Sequence, residues 1–354
     1  MLFCICTFSF HIASAQGVKV IKQNECTPVK NQAMTGTCWC YSTTSLVESM
    51  ALKKGATDVD ISEMFTVRNI YVEKAKNYIL RQGTAQFGEG GLGHDLIRAI
   101  DTYGAVPEEV FTGLKNGQKM HNHTGLVKLL KTYVDSILKH TPLANDWLVG
   151  YNHILDSAIG EIPTNFEFKG KKYTPKTYAK DVLKFNVNDY VSITSFTHHP
   201  FYKPFILEAP DNFANGSFYN LPLNEMISLT QKAINDGYTV MWDADVSNKY
   251  FMQGNGFAIN YVEKPNGSIT GDEMEETYCE TIRQQLYENL TTQDDHLMHL
   301  VGISKSEKGK EFFVVKNSWG NVGPYKGFIN VSIPYFAINT VGIVLPKAVL
   351  SADL

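Results

Sequence analysis

One cysteine stands at the predicted start of a helix and is a candidate nucleophile. Residues 29–42 read VKNQAMTGTCWCYS, and a helix is predicted over residues 37–54, so Cys38 follows a glycine-containing turn. A helix N-terminus presents free N–H groups and a partial positive charge, which stabilise a thiolate. Gln32, six residues earlier, can turn its side-chain amide toward the same point. That amide and the Cys38 backbone N–H would form an oxyanion hole for a tetrahedral acyl intermediate.

A histidine and an asparagine late in the chain complete this chemistry. His296 follows two aspartates at the entrance to a predicted strand, where it can act as base and then as acid for Cys38. Asn317 begins the sequence Asn-Ser-Trp-Gly at a predicted strand end. It can accept the other imidazole N–H and fix the tautomer, while the Trp319 ring shields that hydrogen bond from water. The order Gln, Cys, His, Asn is a complete set for acyl transfer through a thioester.

The joint pattern resembles the papain-like cysteine peptidases, and more specifically their bleomycin hydrolase and aminopeptidase C branch. The resemblance rests on Gln-x-x-x-Gly-x-Cys-Trp, the late Asp-His and Asn-Ser-Trp-Gly, and it runs from about Val18 to Leu350. Supporting stretches lie at residues 60–64, 87–91, 194–200 and 243–247. It implies these roles: nucleophile Cys38, base His296, orienting residue Asn317 and oxyanion donor Gln32.

The same resemblance implies how substrate is held. The backbone of a Gly-Gly strand, here Gly90-Gly91, hydrogen-bonds the peptide, and Trp319 is a further candidate substrate-binding residue. Family members act as aminopeptidases because the C-terminal tail lies in the cleft and its carboxylate holds the free amino group. Here that carboxylate would belong to Leu354. The resemblance also implies peptide substrates, no metal or organic cofactor, and a possible homohexamer.

Two other functions remain open from the residues. One is a papain-like endopeptidase with an open cleft, which the triad alone does not distinguish from an aminopeptidase. The other is a catalytically silent scaffold of the same fold, against which the four intact catalytic positions argue.

Several further polar residues are interpreted as structural. His299 is expected to pack in the core of a strand. His198 and His199 are adjacent, and adjacent strand residues face opposite ways, so joint metal ligation is disfavoured. Asp243 and Asp245 share one strand face and are interpreted as a solvated or hydrogen-bonded pair. A bridge between the cysteines at positions 26 and 279 is possible in an exported protein, although nothing in the spacing demands it.

Composition and the N-terminus bound the remaining classes. The chain has 354 residues, 44% hydrophobic, and a net charge of −4, which indicates a globular protein without an electrostatic footprint for nucleic acid or an anionic membrane. Residues 1–15, MLFCICTFSFHIASA, are too short for a span of roughly 20 residues and are typical of a secretory signal. We therefore expect export to the periplasm or beyond the cell, and a cytoplasmic protein if that interpretation fails. No later segment is predicted to cross a membrane.

Helices are predicted first and strands later, which favours an α+β fold. With the resemblance, this becomes a papain-like, two-lobe architecture with a helical left lobe, a β-barrel-like right lobe and a helical insertion. The expected parts are a signal peptide (1–15), a left lobe with the cysteine helix (16–110), the insertion (111–190) and a β-rich right lobe carrying His296 and Asn317 (191–354), whose tail enters the cleft. Further helices are predicted at 62–82, 93–103, 124–140, 144–159 and 223–236, and strands at 238–246, 299–304, 312–316 and 328–332.

Overall fold

The computed structural model of the protein describes residues 17–115 and 117–351. The predicted signal peptide and Leu354 lie outside the described residues, so export and the role of the tail stay predictions. Within the described ranges, no helix combines the length and the apolar character that a membrane crossing requires.

The helices confirm the pattern-based predictions in the first half of the chain. Ser62 caps the second helix, its Oγ accepting the backbone N–H of Phe65 at 3.2 Å, and Gly104 ends the third in a left-handed conformation with φ of +83°. Three helices of seven to nine residues, α6, α8 and α9, were not predicted because they are too short for a clear amphipathic repeat. The helices are α1 (Cys38–Lys53), α2 (Glu63–Leu80), α3 (Gly93–Tyr103), α4 (Thr124–Ile137), α5 (Trp147–Ala158), α6 (Pro175–Asp181), α7 (Leu223–Asn235), α8 (Glu280–Glu288) and α9 (Ile333–Asn339).

An eleven-stranded mixed sheet forms most of the second half, and a separate hairpin pairs β2 with β3. The strands are β1 (Val18–Gln23), β2 (Phe166–Phe168), β3 (Lys171–Tyr173), β4 (Tyr190–Thr194), β5 (Pro204–Ile206), β6 (Ser217–Asn220), β7 (Val240–Ala244), β8 (Phe251–Met252), β9 (Phe257–Ala258), β10 (His296–Ser306), β11 (Glu311–Lys316), β12 (Phe328–Ser332) and β13 (Thr340–Pro346). The order is β5-β6-β4-β13-β7-β10-β11-β12-β9-β8, with β1 also paired to β10. The α+β class is confirmed.

Helix α1 lies between the helices and the sheet. Every residue from Cys38 to Ala51 is buried, which is the pattern of a helix enclosed on all sides and not of a surface helix. Side chains of alternate sheet residues divide into two cores: Met241 and Val344 pack with the helices, whereas Trp242 and Ile343 pack with α7 on the other face.

The segment predicted as an insertion contributes to the same helical core. Leu130 of α4 and Leu155 of α5 are fully buried there, and the Tyr151 hydroxyl donates to the Tyr71 carbonyl of α2 at 2.8 Å. The division into lobes at residues 110 and 190 stays a prediction.

Candidate active site

Cys38 is the first residue of α1, where the sequence analysis expects the nucleophile. Its side chain is buried. The turn before it is held by Glu89, whose carboxylate accepts the Gly36 backbone N–H at 2.6 Å. The helix start, and with it the thiol, is therefore fixed against the glycine-rich segment that precedes α3.

His296 and Asn317 meet because they occupy the ends of two adjacent strands. His296 opens β10, and Asn317 directly follows β11. The His296 Nε2 and Asn317 Oδ1 atoms lie 2.7 Å apart, and the Trp319 ring stacks on the imidazole with centroids 4.7 Å apart at 28°. Because Asn317 Oδ1 accepts, Nε2 carries the proton, and Nδ1 is the free nitrogen that can take the proton of Cys38.

A glutamine that the sequence analysis missed holds Asn317. The Asn317 Nδ2 group donates to Gln253 Oε1 at 3.1 Å, and Gln253 Nε2 donates to two backbone carbonyls at 3.3 and 3.4 Å. The Ser318 backbone N–H donates to Asn317 Oδ1 at 2.7 Å. Gln253 lies between β8 and β9 and carries no motif, so only the tertiary structure identifies it.

Gln32 is tied to the same strand end. Its Oε1 accepts the Ser318 hydroxyl at 2.6 Å, and its Nε2 donates to the Thr35 carbonyl at 2.7 Å. Since an amide nitrogen carries two N–H groups, one remains for an oxyanion near Cys38. The structure thus links the Gln32 and Asn317 segments through Ser318.

Burial shifts the pKa values of Cys38 and His296 in opposite directions. It raises the pKa of the Cys38 thiol to about 12, with Asp294 and Asp243 adding to the effect and the backbone N–H groups of Leu297 and Trp39 opposing it. Burial lowers the pKa of His296 to about 4, against the hydrogen bond to Asn317. Both shifts favour the neutral thiol and the neutral imidazole, because desolvation outweighs the helix N-terminus at Cys38.

Gly90 and Gly91 form a fixed edge beside the nucleophile. The Trp39 ring lies directly under Gly91, where an added Cβ would sit 3.1 Å from ring atoms, and Trp39 Nε1 donates to the Glu89 carbonyl at 3.0 Å. Lys74 of α2 donates to the carbonyls of Gly88 and Gly90. These contacts hold the segment that the family resemblance assigns to substrate binding.

Several predicted residues lie away from this centre. His299 is buried and contacts the Ser45 hydroxyl at 2.9 Å, as expected of a core strand residue. Cys26 and Cys279 are both free, so no bridge joins them. The last residues that the structure describes in full, Leu350 and Ser351, line a pocket on the face of the sheet that packs against α7.

The prediction that His198 and His199 face apart is wrong, because they lie in a turn after β4 and not in a strand. Their Nε2 atoms contact the two carboxylate oxygens of Glu208 at 3.2 and 3.0 Å. Among the described residues, these three side chains form the group whose potential metal-ligating atoms lie close together. Two histidines and a glutamate suit zinc. Gln284 lies 2.9 Å from His198 Nδ1, so the trio is also satisfied by its own hydrogen bonds.

Asp243 and Asp245 do not form the predicted pair. The Asp245 carboxylate accepts the backbone N–H groups of Ser247 and Gln293, each at 3.0 Å. The Asp243 carboxyl is buried and lies beside that of Asp294 instead.

Comparison with known proteins places the chain among peptidases. The model of the Peptidase C1-like family matches residues 158–354, and that of the papain family of cysteine proteases matches residues 15–71. Aminopeptidase G from Lactobacillus delbrueckii subsp. lactis is 23% identical over 92% of this chain and 82% of its own length. Bleomycin hydrolase from Gallus gallus is 22% identical over the same shares. The crystal structure of PepW from Lactobacillus rhamnosis superposes with a TM-score of 0.75 at 20% identity, covering 95% of this chain and 83% of that one.

Proposed function

Because the chain belongs to the Peptidase C1-like family of papain-like cysteine peptidases, we propose that it is a cysteine aminopeptidase that removes N-terminal residues from peptides. The observation that carries the peptidase chemistry is the His296 ring held between Asn317 and Trp319. Since Asn317 engages Nε2, Nδ1 is the ring nitrogen available to Cys38, whose helix α1 packs against β10.

The reaction proceeds by proton transfer and acyl transfer. As Cys38 Sγ attacks the scissile carbonyl, its proton passes to His296 Nδ1, and the carbonyl oxygen becomes an oxyanion bound by the Cys38 backbone N–H and Gln32 Nε2. Collapse expels the amine, which takes the proton from His296, and leaves a thioester. Water then attacks the thioester with His296 as base, releasing the acid and restoring the thiol.

The choice of aminopeptidase over endopeptidase rests on two supports. Relatives that align over most of this chain include proteins named aminopeptidase G, E, W and C. In addition, a Cβ built on Gly90 would overlap the Asp211 carboxylate, and a side chain so placed would limit how far a peptide extends past Gly90.

The test is a set of short peptides with free and acetylated N-termini, followed by mass spectrometry. We expect sequential loss of N-terminal residues from the free peptides, none from the acetylated ones, and no turnover by Cys38→Ala with its thermal unfolding retained. Cleavage of the acetylated peptides at internal bonds would establish an open-cleft endopeptidase instead. No turnover, together with no labelling of Cys38 by an epoxide warhead, would establish a silent scaffold.

Two features predicted from the sequence belong to the same proposal. Residues 1–15 direct export, which cell fractionation tests by the location and mass of the mature chain. The protein assembles as a homohexamer, which light scattering of the purified protein tests.

A further inference from the structure

Two exposed methionines lie at the loop that leads to Cys38. Met34 is 60% exposed and Met120 is 62% exposed. The side chains of Gln32 and Thr35 in the same loop are buried, so the loop turns Met34 outward. Because Met34 follows Gln32 by two residues, its Cα lies at most about 7 Å from that of the expected oxyanion donor. Its side chain can therefore reach the parts of a substrate that adjoin the scissile bond.

A segment of the predicted insertion holds Met34 in this position. The Met34 backbone N–H donates to the His121 carbonyl at 3.1 Å, and the His123 backbone N–H donates to the Met34 carbonyl at 3.0 Å. Asn122, between these two residues, donates from its Nδ2 to the Met34 Sδ at 3.7 Å. Met120 directly precedes His121, so the two methionines project from neighbouring, hydrogen-bonded backbones.

The backbone beneath the two methionines is fixed to the helical core. His123 is buried, and its Nδ1 lies 2.9 Å from the hydroxyl of Tyr71 in α2. Tyr71 is itself buried, and its carbonyl accepts the Tyr151 hydroxyl at 2.8 Å. Methionine side chains are unbranched and polarizable, so they adapt to apolar partners of different shapes. The pair thus combines a rigid base with an adaptable apolar surface.

The exposed face of the loop continues into the edge that the family resemblance assigns to substrate. Gly36, two residues after Met34, is also exposed, and its backbone N–H donates to the Glu89 carboxylate at 2.6 Å. Glu89 immediately precedes Gly90-Gly91. A peptide that lies along this edge with its scissile carbonyl at Gln32 therefore passes beside Met34.

We propose that Met34 and Met120 form an apolar specificity site that contacts a nonpolar side chain of the peptide close to the scissile bond. The inference rests on the proposed function and names its substrate class, peptides with a residue such as leucine or methionine at that position. Binding removes both methionines and the peptide side chain from water, a transfer that is favourable in proportion to the apolar area buried. A polar side chain of the same size loses its hydration there, so it is disfavoured.

Short peptides with free N-termini test this in the full-length protein. Three series carry leucine or asparagine, which have similar size and shape, at the first, second or third residue of an otherwise common sequence. Initial rates of the first cleavage, followed by mass spectrometry, give kcat/KM for each peptide. In one series the wild type should prefer leucine about 5- to 20-fold, as expected for a partly enclosed apolar side chain, and that series identifies the residue that the site contacts.

Met34→Gln and Met120→Gln keep the length of the side chain and remove its apolar end. The first exchange also keeps an acceptor within reach of Asn122 Nδ2. Each should lower the preference for leucine about 2- to 4-fold, and the double variant should abolish it. In the double variant kcat/KM for the asparagine peptides should stay within about twofold of the wild-type value. This split distinguishes contact with substrate from a structural role, which would slow both peptides equally.

Met274→Gln is the matched control, because Met274 is 78% exposed in the β-rich half of the chain. It should leave every rate unchanged. Thermal unfolding of all variants checks the fold, and the exchanged side chains are on the surface, where their replacement removes no core contact.

The outcomes separate this inference from the proposed function. If free peptides lose N-terminal residues but the leucine preference is absent from the wild type or retained in the double variant, the inference is overturned and the aminopeptidase stands. An equal fall for leucine and asparagine peptides in the double variant also overturns it, because the methionines then only support the loop. Cleavage of acetylated peptides at internal bonds overturns the aminopeptidase, whereas a leucine preference at those bonds that the double variant abolishes still supports the site.

Discussion

We predict that removing the hydrogen bond from Asn317 to Gln253 lowers kcat. Gln253→Met keeps the length of the side chain but removes Gln253 Oε1, which accepts the hydrogen bond from Asn317 Nδ2 at 3.1 Å. Both residues are buried, so the amide is left unsatisfied at a cost of about 1–3 kcal/mol in folding free energy. If that whole cost appeared in the barrier, kcat would fall about 5- to 150-fold.

The smaller figure is the expected one. The Ser318 N–H still donates to Asn317 Oδ1 at 2.7 Å, so Asn317 keeps one of its two anchors. We expect a fall in kcat of about fivefold with KM unchanged, because the orientation of His296 matters mainly once it becomes charged. Asn317→Ala removes the bond to His296 itself and should cost about 10- to 150-fold, the value of a hydrogen bond to a charged group.

The assay is steady-state kinetics on a free-amine coumarylamide for Gln253→Met, Asn317→Ala and the double variant. Gln231→Met, the same exchange on α7 where Gln231 contacts Glu311, controls for loss of a glutamine elsewhere. If Gln253 acts through Asn317, its exchange has little further effect in the Asn317→Ala background. An equal fall in both backgrounds would refute the reasoning, and Gln253 would then have a structural role alone.

Three more predictions concern the surroundings of the pair. Trp319→Leu admits water to the hydrogen bond between His296 and Asn317 and should lower kcat about tenfold. Trp319→Phe keeps an aromatic ring and should retain much of the wild-type kcat. Equal rates for the two variants would contradict shielding by a ring. Glu89→Ala frees the Gly36 N–H and should lower both stability and kcat, measured by thermal unfolding and turnover, while Glu89→Gln keeps an acceptor and should lose little. The folded-state pKa of Asp294, raised to about 7 from about 3.9 in the unfolded chain, contributes stability below pH 4 that is lost as pH rises through 7. Asp294→Asn should therefore unfold at a progressively higher temperature than the wild type between pH 4 and pH 8, and a difference that does not change with pH would show that Asp294 is not perturbed.

Local signals in the sequence were sufficient for the first half of the fold and for the types of the reacting groups. The start of α1 at Cys38, the cap at Ser62 and the stop at Gly104 each depend on a few neighbouring residues, so they could be predicted without knowledge of packing. Other elements of the second half, such as β13, could not be predicted in this way, because β13 is stabilised by pairing with β4 and β7, far away in sequence.

The candidate site divides in the same way. Its motifs identify Gln32, Cys38, His296 and Asn317, since their chemistry depends on residue type and order. Their environment depends on distant segments that carry no motif. Gln253 reaches Asn317 from 64 positions away, and Asp211 covers Gly90 from a loop of the β-rich half.

Tertiary structure also reversed one electrostatic expectation. From sequence, the helix N-terminus favours a thiolate at Cys38. In the folded chain, desolvation and the nearby Asp243 and Asp294 raise the thiol pKa to about 12. The sequence by itself therefore determined which groups react, because that depends on residue type and local helix geometry. Only the tertiary structure decided the direction in which their pKa values shift, because burial and the proximity of Asp243 and Asp294 depend on elements that meet only when the chain folds.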